Sequence, residues 1–245
     1  MRRGSGRIEV AFTPGELGDT TLKGKNVVVI DVLRSSTSIA RALANGAELI
    51  IPLASTEDVT RLASTLDRKQ IVLCGERDSI RVDGYALGNS PSEFTSKNVK
   101  GKTLLLTTTN GTRALVRCEG AKEIVVAGLV NLEAVVARLA RVGEWTILCA
   151  GSHGRFSLED ALCAGAIVAS MRARFSDIQV NDAGKSAEFL YRSAGEDLPR
   201  IVAGTEAGTR LASLSLSADV ETCVQVDSIP VLPIVTDGRI SKLAK

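Results

Sequence analysis

The chain has 245 residues, is 44% hydrophobic and carries a net charge of +2 from 30 basic and 28 acidic residues. That apolar content can bury a sizeable core. Near-neutrality and only 3% aromatics leave no basic, stacking surface, so no nucleic-acid partner is predicted. No apolar run approaches membrane-spanning length, and the charged start, Met1-Arg2-Arg3, has no apolar segment behind it. Neither a membrane partner nor a secretory signal is therefore predicted. Five cysteines without a CxxC pair read as free buried thiols in a reducing cytoplasm.

Apolar runs of strand length occur at 27–30, 49–53, 71–74, 104–106, 124–127 and 147–149. They are mostly continuous, as suits strands covered on both faces. Helix-period stripes lie between them: Ile39, Leu43 and Ala47; Val59, Leu62, Ala63 and Leu66; Leu132, Val135, Val136 and Leu139. Helix starts are expected at Ser55 or Thr56, at Asn131 and at Ser157, which forms a capping-box pattern with Asp160. The stretch 77–90 reads as a long functional loop. Beyond residue 175, 183–194 looks helical, 218–226 is ambiguous and 231–235 reads as a proline-interrupted edge strand. No linker or repeat divides the chain. The expectation is one domain over 1–245, a three-layer α/β/α fold with a mostly parallel sheet that is allowed to be mixed.

Four strand-to-helix loops are rich in groups suited to phosphate and divalent-cation chemistry. In an open parallel sheet such loops share one edge and can converge on one crevice. Asp31, ending the first apolar run, can bind Mg²⁺ through hard oxygens or act as nucleophile or base. Arg34 offers a planar fork for oxyanions. Ser35, Ser36 and Thr37 add hydroxyls and amides at a helix start. The plainer alternative makes Ser36 a helix cap and Asp31 its electrostatic companion. Glu76 and Arg77 place a second carboxylate and guanidinium at a strand end, or form an exposed ion pair.

The hydroxyl run Thr107-Thr108-Thr109-Asn110-Gly111-Thr112 either surrounds a ligand or is an Asn-Gly turn capped by Thr112. In the fourth loop Asp160 either completes the capping box with Ser157, leaving Glu159 as the freer carboxylate, or is itself a site carboxylate. Arg155 can hold an anionic tail, and His153 is the only histidine. Walker A, GxSxG and GxGxxG patterns are absent at these junctions.

Five motifs in series, Asp31-Val32-Leu33-Arg34-Ser35-Ser36-Thr37, Gly75-Glu76-Arg77, Gly88-Asn89-Ser90-Pro91, Thr108-Thr109-Asn110-Gly111-Thr112 and Phe156-Ser157-Leu158-Glu159-Asp160, resemble the 2-phosphosulfolactate phosphatases. The resemblance implies an α/β/α fold and Mg²⁺-dependent hydrolysis of a small anionic phosphate ester, on the route to coenzyme M. It brings Asn89 and Ser90 into the substrate site. The chain departs from that pattern at Asp78-Ser79, at Ala86 and at Thr205-Glu206-Ala207-Gly208.

The combined expectation has Mg²⁺ held by Asp31, Glu76 and one of Glu159 or Asp160. Arg34, Ser36, Thr109, Asn110 and Thr112, with Ser35, Thr37 and Gly111, cradle the phosphoryl oxygens. Arg77 or Arg155 binds the sulfonate or carboxylate. Rival readings are a non-catalytic binder of a phosphorylated metabolite and an enzyme acting on another phosphorylated acid, sugar or nucleotide. Monomer and homo-oligomer both stay open.

Overall fold

A computed structural model describes residues 6–17, 22–141 and 143–243; the charged start at 1–5 lies outside them. The first part of the chain forms β1 (Arg7–Ala11), β2 (Asn26–Ile30), α1 (Ser35–Ala44), β3 (Leu49–Pro52), α2 (Thr56–Ala63), β4 (Ile71–Arg77), β5 (Ile80–Arg81), α3 (Ser96–Val99), β6 (Thr103–Thr107), α4 (Gly111–Arg117) and β7 (Glu123–Ala127). There follow α5 (Leu132–Leu139), β8 (Glu144–Cys149), α6 (Leu158–Arg174), β9 (Gln179–Val180), α7 (Asp182–Ala194), α8 (Leu198–Ala203), α9 (Glu206–Ser213), α10 (Ser217–Cys223), β10 (Pro233–Thr236) and β11 (Arg239–Lys242). The strands join one sheet in the order β5-β4-β6-β3-β11-β10-β7-β2-β8-β1-β9.

β2 shows how a continuous apolar run becomes a central strand. Its successive side chains point to opposite faces. Val28 and Ile30 pack with Val135 of α5 and Ile167 of α6, while Val27 and Val29 pack with Ile39 of α1 and Ala114 of α4. Helices thus cover both faces, as the uninterrupted hydrophobicity of 27–30 requires. The periodic stripes run slightly past their helices: Ala47 is buried just beyond α1, whereas Leu66 lies beyond α2 and is 36% exposed.

Two elements correct the expectation. The proline-bearing strand β10 is interior, pairing antiparallel with both β7 and β11. Pro233 is tolerated because it is the first strand residue, and the β7 pairing begins only at Ile234. This hairpin also divides the sheet. β4, β6 and β3 are mutually parallel, as are β7, β2, β8, β1 and β9. Since β11 pairs antiparallel with β3, the two blocks run in opposite senses through the hairpin. A single loop edge is therefore the wrong picture. The loops after β2 and β6 nevertheless meet. The contact is tight: a Cβ on Gly111, after β6, would stand 2.5 Å from Asp31 Oδ2, after β2.

The stretch 77–90 is more ordered than a loop. Glu76 and Arg77 pair with Arg81 and Ile80 in a β4–β5 hairpin. Asp78 (φ 51°) and Ser79 (φ 69°) are both left-handed, as a two-residue turn of this kind demands. The ambiguous 218–226 contains α10, and α7 fills 183–194 as read. Ser55 and Ser157 cap α2 and α6 through their hydroxyls. Asn131 starts α5 without capping it; its buried amide accepts from Gly128 N and donates to the carbonyls of Val126 and Val231.

Helices α6 and α7 meet backbone to backbone at Gly165, where a Cβ would lie 2.0 Å from the Ala187 carbonyl oxygen. Gly165→Ala is expected to destabilise by about 1–3 kcal/mol through overpacking. At about 2–4 °C per kcal/mol for a chain of this size, a thermal melt reads this as a loss of several degrees.

Candidate active site

Asp31, Arg34, Glu76, Asn89, Thr109 and Asn110 line one cleft of about 330 Å³, with Leu33, Asp78, Ser79, Ser152, His153, Arg155, Glu206, Ala207 and Arg210. The segments expected to converge do so, from both blocks of the sheet. Asp31 and Glu76 lie deep with Arg34, while Asp78 and Glu206 stand at the mouth with the other cations. Asp31, Arg34 and Glu76 are buried, whereas the side chains of His153 and Arg155 are 53% and 70% exposed.

Asp31 sits where β2 enters α1. Its Oδ2 accepts from Ser35 Oγ at 2.8 Å, and its amide donates to Ser36 Oγ at 2.9 Å. Ser36 therefore braces the Asp31 backbone rather than capping the helix. Burial pushes the Asp31 carboxyl up from 3.8 to about 6. The Ser35 hydrogen bond opposes this rise, and the negative charges of Glu76 and Glu159 add to it. A carboxyl held there can change protonation state near neutrality.

Glu76 is held by its own hairpin. Oε1 accepts from Thr109 N at 2.7 Å, and Oε2 accepts from Ser79 N at 2.6 Å and Thr109 Oγ1 at 3.1 Å. The Asp78-Ser79 turn thus serves to present an amide to the carboxylate while tying β4 to the Thr109 loop. Arg77 points elsewhere, donating to the Glu76 carbonyl and to Thr107 Oγ1, and is not among the cleft residues.

Arg34 is buried yet lines the cleft. Nη1 donates to Asp219 Oδ2 at 2.7 Å, and Nη2 donates to the Ser79 carbonyl at 3.0 Å. Asp219 Oδ1 in turn accepts from Ser90 Oγ at 2.5 Å, so Ser90 acts behind Arg34. Asn89 lines the cleft itself. Its Nδ2 lies 3.4 Å from Ser35 Oγ, and its buried Oδ1 has no hydrogen-bond partner among the described residues.

Ser35, Ser36, Thr37, Gly111 and Thr112, expected in the phosphate cradle, do not line the cleft but pack behind it. Ser35 Oγ, its one hydrogen given to Asp31, also lies 3.2 Å from Thr108 Oγ1 and can accept from it. Thr112 Oγ1 accepts from Thr108 N and donates to the Thr108 carbonyl. Thr37 is buried, and Gly111 lets α4 approach Asp31. Asn110 Oδ1 accepts from His153 N, positioning the loop that bears His153 and Arg155. At the mouth Arg155 pairs with Glu206, His153 Nε2 stands 3.3 Å from Asp78 Oδ1, and Arg210 donates to the Asp78 carbonyl.

Asp160 joins two strand ends, accepting from Val32 N at 2.9 Å and Gly151 N at 3.1 Å. Burial, then Asp31 and Glu159, push its carboxyl well up. Both of its oxygens are thus committed to backbone amides. Glu159 is buried beside this group, near enough for its charge to act on Asp31.

Whether the donors suit Mg²⁺ turns on their chemistry. Among the described residues, no three His, Cys, Asp or Glu side chains form a ready metal cage. Mg²⁺ commonly takes only one or two carboxylates, with water and substrate phosphate completing its shell. Asp31 and Glu76 supply hard oxygens in the cleft, and the unpartnered Asn89 Oδ1 supplies a neutral one. Mutually repelling buried carboxylates and an orphaned carbonyl oxygen fit a hard divalent cation.

Asp219 and Arg210 were missing from the sequence reading, and Leu33, Ser79, Glu206 and Ala207 were named in it without being read as site residues. Asp219 left one signal: in α10 it stands on the same side as Val220 and Cys223, both buried, a charge on an apolar helical face. Arg210 left none, because its place depends on how α9 crosses the hairpin tip.

A model of the 2-phosphosulpholactate phosphatase family matches residues 11–238. A probable 2-phosphosulfolactate phosphatase of Symbiobacterium thermophilum is 40% identical over 220 residues, covering 89% of this chain and 94% of the relative. One from Clostridium botulinum is 36% identical over 238 residues, 97% of this chain and 100% of the relative. One from Cyanothece sp. is 38% identical over 234 residues, 93% and 96% of the two chains. With nearly the whole fold and every loop of the cleft inside these matches, the chain belongs to the 2-phosphosulpholactate phosphatase family, and is by that membership a phosphoric monoester hydrolase.

Proposed function

We propose that the cleft hydrolyses 2-phosphosulfolactate to sulfolactate and phosphate with Mg²⁺ bound. The observation that carries this reading is the layout of charge: buried Asp31, Glu76 and Arg34 at the floor, exposed Arg155 and Arg210 at the mouth. The substrate named for the relatives bears a phosphoryl group together with a carboxylate and a sulfonate, and so calls for more than one cationic contact. Mg²⁺, held by Asp31, Glu76 and Asn89 Oδ1, would polarise the phosphoryl group and offset its charge.

Arg34 would hold the equatorial oxygens, helped by donors on Thr109 and Asn110, because phosphoryl transfer needs positioning and charge stabilisation above covalent help. Water adds to phosphorus as the bond to the alkoxide oxygen breaks. The Asp31 carboxylate would orient that water, and the proton the water loses goes to the departing alkoxide oxygen. Arg155 and Arg210 would hold the carboxylate and sulfonate, a task that Arg77 cannot share from its place against Thr107. Five free buried cysteines support a reducing, cytoplasmic setting, and no helix among the described residues is long and apolar enough to cross a membrane.

Phosphate release from 2-phosphosulfolactate and from p-nitrophenyl phosphate is the test. The expected result is turnover with Mg²⁺ that is lost in EDTA and restored by re-addition. EDTA-resistant turnover would remove the metal from the reading. Tight phosphate binding without any turnover would make the protein a binder.

A further inference from the structure

We propose that Asp219 is a positioning residue for Arg34, and that α10 belongs to the active site for this reason. The proposal rests on the phosphatase reading of the cleft. Asp219 does not line the cleft, so it cannot touch the substrate. It can act only through what it holds.

Both oxygens of Asp219 are engaged, Oδ2 with Arg34 Nη1 at 2.7 Å and Oδ1 with Ser90 Oγ at 2.5 Å. The carboxylate is therefore fixed against rotation. Arg34 is fixed in turn, since its other terminal nitrogen donates to the Ser79 carbonyl at 3.0 Å. The pair is nearly dry, with side-chain exposures of 3% and 5%. A guanidinium has five N–H groups in a rigid fork. Two are committed here, and Arg34 still lines the cleft.

As a stability device this arrangement is poor, because a buried ion pair is often no better than apolar groups of the same volume. As an aiming device it is effective. Asp219 and the Ser79 carbonyl grip the guanidinium from α10 and from the β4–β5 hairpin, leaving its remaining N–H groups nothing to do but meet an oxyanion. The same hairpin turn donates Ser79 N to Glu76, so one turn sets both a carboxylate and a guanidinium of the site. A misplacement of about 1 Å at such a group can reduce turnover on the order of 10²-fold.

A double-mutant cycle with Asp219→Asn and Arg34→Gln tests this. Asp219→Asn keeps the side chain's bulk, Arg34→Gln shortens its own by two heavy atoms, and the double variant leaves no charge alone. Asp219→Asn is expected to lower kcat by about 30- to 100-fold, with KM within about threefold. The same change made in Arg34→Gln should have no further effect. Ser90→Ala, which removes only the outer anchor, should lower kcat by a smaller factor and guards against a folding failure in Asp219→Asn. Binding of orthovanadate, read by calorimetry, should weaken at least tenfold in Asp219→Asn and not further in the double variant.

An equal loss in both backgrounds would overturn the proposal, as would a lower melting temperature with kcat and vanadate affinity unchanged. Should the unaltered protein bind vanadate but turn over no phosphomonoester, the phosphatase reading fails while the vanadate cycle still decides the positioning. Should it bind no vanadate and turn over nothing, both fail.

Discussion

Asp31→Asn is expected to lose turnover by a factor of about 10²–10⁴ while making the metal-free fold more stable above pH 6. Both effects come from the same burial. Burial raises the pKa of this carboxyl from 3.8 to about 6, the charges of Glu76 and Glu159 adding to the rise and the Ser35 hydrogen bonds opposing it. The folded chain therefore holds this proton more tightly than the unfolded chain does. The group favours folding fully below about pH 4, and that contribution is lost as pH climbs through about 6. The displacement corresponds to about 3 kcal/mol against the ionised form at pH 8. An asparagine carries no charge to desolvate and keeps an acceptor for the Ser35 amide. Thermal melts in EDTA should show Asp31→Asn gaining several degrees at pH 8 and little at pH 4. A lower melting temperature at pH 8 would mean that the carboxylate is a structural asset, and unchanged turnover would remove it from the chemistry.

Gly111→Ala carries the second large effect. A Cβ there would lie 2.5 Å from Asp31 Oδ2, 2.6 Å from Ser35 Oγ and 2.7 Å from Ser35 Cβ. No rotamer of a methyl group relieves this, so the carboxylate or the start of α4 must move. The expected outcome is a fall in kcat on the order of 10²-fold, with a stability loss of about 1–3 kcal/mol. Steady-state kinetics beside a melt would separate the two, because a purely structural effect lowers the folded fraction and leaves kcat per folded molecule unchanged. Gly111 is needed for close approach to another loop. It is not among the residues with positive φ, so turn geometry is not the reason.

Gly111 illustrates how far local reading extends. The Asn110-Gly111 pair was legible as a special backbone site, but what it approaches could not be read locally, since Asp31 lies eighty residues earlier on a strand of the other block. The hydroxyls of Ser36 and Thr112 were legible as polar groups at helix starts, and either reading, anion cradle or local brace, suited the sequence. Packing places them against backbone amides and carbonyls of their own loops. Arg77 and Arg34 were alike in sequence, each three residues or fewer from a strand-end carboxylate. One turns into the sheet and the other into the cleft, a difference set by the β4–β5 hairpin and by Asp219.

Local chemistry alone dictated the alternation of strands and helices, the caps at Ser55 and Ser157, the apolar centre around β2 and the identity of the acids that end the strands. Those features depend on neighbours within one or two turns, where spacing and propensity are decisive. The tertiary arrangement decided the rest: the antiparallel hairpin between the two parallel blocks, the inward place of β10, and the joining of Arg34 to Asp219 across 185 positions. Such contacts arise from strand pairing and helix packing summed over many elements, and no short window of residues contains them.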